Sequence, residues 1–201
     1  MRWLLALCLT PGALLTGCGG GGGAFGDCAA LMGAFDACGG DPVGTWDVTR
    51  ACGEALESPF ADECPASTIS GTIGFALSVT ITATTVQFGT STWSWDVDIV
   101  VPQSCLGAIE AADCNALAEL LCSDPGCTAS CQASGADCRC DFGGQDVESG
   151  SPAAPYTIAN GTMTIDYGGG DTDAFRYCVK GSEMAFRGDG GDLEAMVLKR
   201  R

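Results

Sequence analysis

The stretch TISGTIGFALSVTIT, residues 68–82, places Ile73, Phe75, Leu77, Val79 and Ile81 on one side of an extended chain. Threonine, serine and small residues fall on the other side. A period of two is the signature of a strand with one buried face. The same period holds in GTWDVTRAC (44–52), where Trp46 and Val48 alternate with Thr45, Asp47 and Thr49. It returns in VQFGTSTWSWDVDIVVP (86–102), where Trp93, Trp95, Val97, Ile99 and Val101 oppose Ser94, Asp96 and Asp98. Shorter runs follow at Tyr156–Ala159, Thr162–Tyr167, Phe175–Val179, Met184–Arg187 and Leu193–Lys199, the first two joined by Asn160-Gly161. That dipeptide is a strong hairpin signal. The pattern predicts a mainly β fold of about 8–10 antiparallel strands, each apolar on one face. A sheet of that size must close or fold over, and sequential short hairpins favour an up-and-down β-barrel. The strands are short and few for a transmembrane barrel.

Two segments break the alternation. DCAALMGAFDACGGDP (27–42) reads as a short N-terminal helix over 27–40, capped by Asp27, with Leu31, Met32 and Phe35 on one face and Gly39 ending it. SCLGAIEAADCNALAELLCS (104–123) spaces Leu106, Ile109, Leu117, Leu120 and Leu121 as a helix does, and a cysteine-dense loop follows through Cys140. Residues 103–136 are therefore expected to form a helical, cysteine-rich insertion between strands of a domain covering 41–201.

The chain of 201 residues has 14 cysteines, no histidine and a formal charge of −16. So acidic a chain repels nucleic acid, and its cysteine content indicates an oxidising compartment. Cys8 falls in an apolar leader and Cys18 ends it. Twelve cysteines remain for disulfides: Cys28, Cys38, Cys52, Cys64, Cys105, Cys114, Cys122, Cys127, Cys131, Cys138, Cys140 and Cys178. Along a helix, Cys28 and Cys38 would stand about 15 Å apart. Disulfides need Cα atoms within about 7 Å, so these two should each tie the segment to the main domain. Cys105, Cys114 and Cys122 are likewise too far apart to bridge one another. In a strand, Cys138 and Cys140 point the same way and Arg139 the opposite way, which aims both cysteines at the helix and its loop.

The leader has Arg2 as its positive end and two short apolar runs, Trp3 to Leu9 and Ala13 to Leu15, broken by Pro11-Gly12. It is too short to span a bilayer. Its end, Leu15-Thr16-Gly17-Cys18, resembles the lipobox of bacterial lipoproteins. The resemblance implies a signal peptide over 1–17, cleavage before Cys18 and attachment of lipid to that cysteine. Without Arg2 the mature chain would hold eight basic groups against 25 acidic ones. Gly19 to Gly23 would make 18–26 a flexible tether averaging about 15–18 Å end to end. Glycine after the lipid-bearing cysteine implies, by the same resemblance, the outer membrane of a bacterial envelope.

Gly44-Thr45-Trp46, opening the β region, resembles the G-x-W motif of lipocalins and related calycins. In that family the tryptophan plugs one barrel end, and a basic residue from near the C-terminus packs over it. The resemblance assigns barrel-end packing to Gly44 and Trp46, with Lys199, Arg200 or Arg201 over the ring and Arg200 the chosen residue. The central helix, the missing T-D-Y motif and the cysteine content all depart from the family. As a whole the chain resembles cysteine-rich bacterial lipoproteins with a lipocalin-like domain, a resemblance that carries no activity across.

Catalysis has little to draw on. Without histidine there is no Ser–His or Cys–His nucleophile system and no imidazole ligand. Asp96 and Asp98 form a carboxylate pair on a polar strand face, read as solubilising charge rather than the pair of a hydrolase. Disulfides are preferred to a thiolate zinc site among Cys122, Cys127, Cys131, Cys138 and Cys140. GGGDTD (168–173) and RGDGGDL (187–193) are read as turns rather than calcium loops, and Arg187-Gly188-Asp189 as a turn rather than an adhesion motif. No cofactor, metal or nucleic acid is expected, and no enzyme. Trp46, Phe75, Phe88, Trp93, Trp95, Phe175, Tyr177 and Phe186 are expected to face inward. Three functions follow, and a hydrolase using the strand-borne carboxylates Asp96 and Asp98 ranks behind the two that a barrel allows. A barrel with a cavity would bind a small apolar ligand or an envelope partner; a filled barrel would be a structural or surface-interaction lipoprotein.

Overall fold

Twelve strands form in a computed structural model that describes residues 25, 28–33, 35–52, 58–122, 126–188 and 195–201. The leader, Cys18, the lipobox, nearly all of the glycine tether and most of RGDGGDL lie outside the described residues. The chain divides into two compact units. One draws on Thr16–Glu54, Gly74–Trp93 and Asp146–Arg201, and the other on Ala55–Ile73 and Ser94–Gln145.

The first unit is a closed antiparallel barrel of eight strands. These are β1 (Gly44–Cys52), β3 (Ser78–Ile81), β4 (Thr85–Phe88), β8 (Ala154–Ala159), β9 (Thr162–Gly168), β10 (Asp171–Lys180), β11 (Glu183–Gly188) and β12 (Ala195–Arg200). Neighbours follow chain order, and β12 returns to β1 with Trp46 opposite Arg200 and Cys52 opposite Ala195. It is not a simple up-and-down barrel, because β2 (Thr68–Ala76), β5 (Ser91–Pro102), β6 (Cys127–Ser134) and β7 (Asp137–Glu148) leave it for a sheet of order β2-β5-β7-β6.

The single strand expected over 68–82 is thus two strands in two sheets. Leu77 separates them, and its carbonyl accepts a hydrogen bond from the Val48 amide. Alternation reports which way side chains point, not which strand lies alongside. Ile73, on the expected apolar face, is 50% exposed. The run 86–102 divides in the same way between β4 and β5. At the break, a Cβ on Gly89 would overlap the Ser78 hydroxyl.

Inside the barrel, Trp46, Val79, Ile81, Met163, Ile165, Tyr177, Met184 and Leu198 are each no more than 2% exposed. Phe75, Leu77, Phe88 and Phe175 pack against this core half-buried. Outside it, α1 (Cys28–Gly33) lays Leu31 on Ala185, Ala195 and Val197, and small side chains let the helix approach. The helix covers six residues, not 27–40. From residue 35 the chain is no longer helical, and Gly39 and Gly40 take positive φ of 68° and 104°. Gly39 bridges Cys178 in parallel, with backbone bonds from Gly39 to Tyr177 and from Val179 to Gly39.

Asn160 (φ 51°) and Gly161 (φ 76°) turn β8 into β9. At Gly161 a Cβ would stand 2.9 Å from the Ala37 carbonyl oxygen. Gly161→Ala therefore meets both a left-handed backbone and a neighbouring backbone, and should lower stability by about 1–2 kcal/mol, read from the urea midpoint.

In the second unit, one face of the sheet buries Val97, Ile99, Val101, Cys138 and Cys140 against Leu117 of α2 (Cys114–Leu121). The helix occupies only 8 residues of 104–123. Residues 103–105 form a 3₁₀ turn, Glu110 sits at φ 63°, and the Asp113 carboxylate then caps a new helix through Asn115 N and Ala116 N, both at 2.9 Å. The expected cysteine-dense loop is a hairpin, with β6 and β7 in unbroken register over eight pairs from Cys127↔Gly144 to Ser134↔Asp137. The sheet also draws on 68–76, 91–102 and 137–148, well beyond 103–136. Trp95 lies here against Phe142, with ring centroids 5.9 Å apart, and not in the barrel; Trp93 meets Phe75 with its ring tilted by 44° and the centroids 4.3 Å apart.

The twelve cysteines named above form six disulfides. In the barrel unit these are Cys28–Cys52 and Cys38–Cys178. In the sheet unit they are Cys64–Cys105, Cys114–Cys138, Cys122–Cys127 and Cys131–Cys140. Of the two cysteines on β7, Cys138 reaches the helix, while Cys140 bonds across the hairpin.

Candidate functional site: the closed end of the barrel

β1 begins at Gly44, whose φ of 152° favours glycine. A Cβ there would lie 3.4 Å from Trp46 Nε1 and 3.5 Å from Arg200 Nε. The missing side chain is what allows the indole and the guanidinium to meet behind it. Trp46 is wholly buried, and the Arg200 guanidinium carbon lies 4.5 Å from its ring centroid. A cation over an indole face is attracted by the ring's electron density.

Three side chains then fasten the preceding segment across this end. Tyr177 Oη donates to the Gly40 carbonyl (3.1 Å), Arg200 Nη2 to that of Asp41 (3.0 Å) and Trp46 Nε1 to that of Pro42 (2.8 Å). Three consecutive carbonyls are each satisfied by a side chain from the barrel, one from each of β10, β12 and β1. Cys38–Cys178 ties down the same segment covalently. Burial raises the Tyr177 phenol above its ordinary value, and Tyr156 and Asp41 add to the effect. The arrangement presents no nucleophile. It is a stopper: backbone acceptors are consumed, and the aromatic ring is sealed between core and guanidinium.

Beside it, Arg201 Nε and Nη2 donate to both Asp47 oxygens at 2.7 Å. This hydrogen-bonded pair holds the Asp47 carboxyl below its ordinary 3.8. Its support for the fold is present above pH 3.8 and is lost as pH falls through the lowered value. The pair is exposed, so salt screens it. NMR titration should place the Asp47 midpoint below 3.8, and Arg201→Ala should return it to the ordinary range.

The remaining candidates do not converge. Asp96 and Asp98 are exposed on β5. Within GGGDTD, Gly168, Gly169 and Gly170 all take positive φ, and Asp166 accepts from the Gly168 amide, as a turn requires. Tyr167 beside it is pushed up to about 12, by burial first and by Asp173 next. Arg187 donates to the Leu31 carbonyl at 3.4 Å. Among the described residues no three His, Cys, Asp or Glu side chains gather as a metal site. The carbonyls of Gly40, Asp41 and Pro42 could not be found by motif, since side-chain bonds to backbone leave little trace in residue types; Gly39-Gly40 is the one local sign. No family model, no curated protein and no solved structure matches the chain.

Proposed function

We propose that the protein is a lipid-anchored lipoprotein of a bacterial envelope, held at the outer membrane through Cys18. Its lipocalin-like barrel is a filled, disulfide-stapled scaffold for contact with another envelope component, and it catalyses no reaction. One observation carries the filled-barrel reading. Trp46, Met163, Met184 and Leu198, from four different strands, each keep 0% of their surface. A void large enough for one water beside any of them would leave accessible surface on its lining. Anchoring is supported by the leader and its Leu-Thr-Gly-Cys ending, and the lipocalin-like reading by Gly44, Trp46 and Arg200 at a closed barrel end. The absence of histidine and the use of twelve cysteines in disulfides support the non-catalytic reading.

A small apolar ligand is the second reading. It is favoured by Phe88 and Phe175, which remain half-buried against the core. Native mass spectrometry of the chain extracted from membranes separates the two. The expected mass is that of the chain from Cys18 with its acyl groups and nothing more. A stoichiometric co-purifying apolar molecule overturns the filled-barrel reading, and an unmodified Cys18 overturns the anchor.

A further inference from the structure

Proteins blunt the free edges of their sheets with charged residues, proline or bulges, or by covering them, because an open edge pairs with any extended chain. β6 is the last strand of its sheet, hydrogen-bonded to β7 alone. From Cys127 to Ala136 it carries no charge and no proline, and its register with β7 has no bulge. Among the described residues, no backbone group of 127–134 bonds to anything on the far side. The edge is also held rigid. Cys127 and Cys131 both lie in disulfides, the first to the end of α2 and the second to β7. Rigid presentation lowers the ordering cost of adding a strand.

We propose that this edge receives an extended, basic peptide segment of a partner protein, added as a fifth strand. This deepens the contact function above and rests on that reading only in requiring a protein partner. Two features select the occupant. A shallow groove of about 300 Å³ opens beside the end of β6, lined by Ala133, Leu106, Ala112 and Cys114 together with Gln103, Asp113 and Asn115. Its mixed lining suits a short side chain with an apolar stem on one face of the added strand, and Asp113 adds to the preference for a basic one. On the other face, Ser130 and Gln132 lead to Asp141 and Arg139 of β7. Asp141 would lie about 10 Å from the added backbone, within reach of a lysine stem. The described residues of this unit hold nine carboxylates and one arginine, so a basic strand is drawn in and an acidic one repelled. Strand addition gives affinity through main-chain bonds and specificity through alternate side chains.

The test uses the full disulfide-bonded chain and the acetylated peptide (Lys-Val)4, with (Glu-Val)4 and the fully N-methylated (Lys-Val)4 as controls. The unmodified lysine peptide should bind about tenfold or more tighter than its N-methylated form, the change expected from losing two or so hydrogen bonds, and tighter than (Glu-Val)4, which the carboxylates of this unit repel. Hydrogen exchange should report the place: in the free protein, alternate amides of 127–134 exchange fast, and the peptide should slow that set. Equal affinity for the N-methylated peptide would mean charge adsorption alone and overturn the proposal. So would unchanged β6 amides, or amides already protected in a chain that sediments as a dimer, where a second copy holds the edge. None of these failures touches the filled barrel, which native mass spectrometry tests separately.

Discussion

Trp46→Ala should be the most damaging single substitution in the barrel, lowering its stability by about 3–5 kcal/mol. Three losses coincide. The indole is wholly buried in the core, so its removal leaves a cavity that β1 cannot close without breaking its ladders to β3 and β12. The Pro42 carbonyl loses its donor, and the Arg200 guanidinium loses the ring beneath it. For a chain of this length the melting temperature should fall by about 10 °C. Trp46→Phe keeps most of the bulk and gives up the N–H and the second ring, so it should cost about 1–2 kcal/mol. The ratio is informative. A barrel with empty space at this end would relax around the smaller side chain, and the two variants would then differ by less than about 1 kcal/mol.

Why Trp46 and Arg200 were legible and the segment they fasten was not is a matter of which atoms take part. The position of Trp46 rests on a glycine two residues earlier and on the alternation of β1, and both are residue-type signals. The segment they fasten is held through carbonyl oxygens, which every residue has. Strands were legible for the same reason that their grouping was not. From 73 to 81 the odd positions are apolar in both β2 and β3, yet Leu77 passes the chain from one sheet to the other without interrupting the pattern. The β6–β7 hairpin stayed hidden because its inward positions on β6 are Cys127, Ala129, Cys131 and Ala133. Strand signals come from β-branched and aromatic residues, and here disulfides do the packing that valine and isoleucine do elsewhere. The helix over 104–123 was overextended because its spacing is apolar throughout. Asp113 restarts the helix inside that spacing, and a cap in mid-pattern outweighs periodicity.

Removing the Cys38–Cys178 bridge by Cys38→Ala with Cys178→Ala should cost about 4–5 kcal/mol, against about 2 kcal/mol for the same double change at Cys122 and Cys127. The contrast comes from the unfolded chain. The first bridge spans 140 residues and the second only 5, so the first removes far more freedom from the denatured ensemble. Cys178 is buried, and alanine leaves no unsatisfied polar group there. Denaturant midpoints without reductant measure both losses on otherwise intact chains. Equal losses would show that the bridges act through native contacts rather than chain entropy. Hydrogen exchange at Gly39 and Val179 divides the first loss further. Both amides hold the stopper segment to β10. If they stay protected without the bridge, the bonds from Tyr177, Arg200 and Trp46 suffice to close the barrel end. If they open, the bridge keeps the end shut, and Trp46→Ala in that background should cost less than it does alone, because the Pro42 carbonyl would already be free to find water.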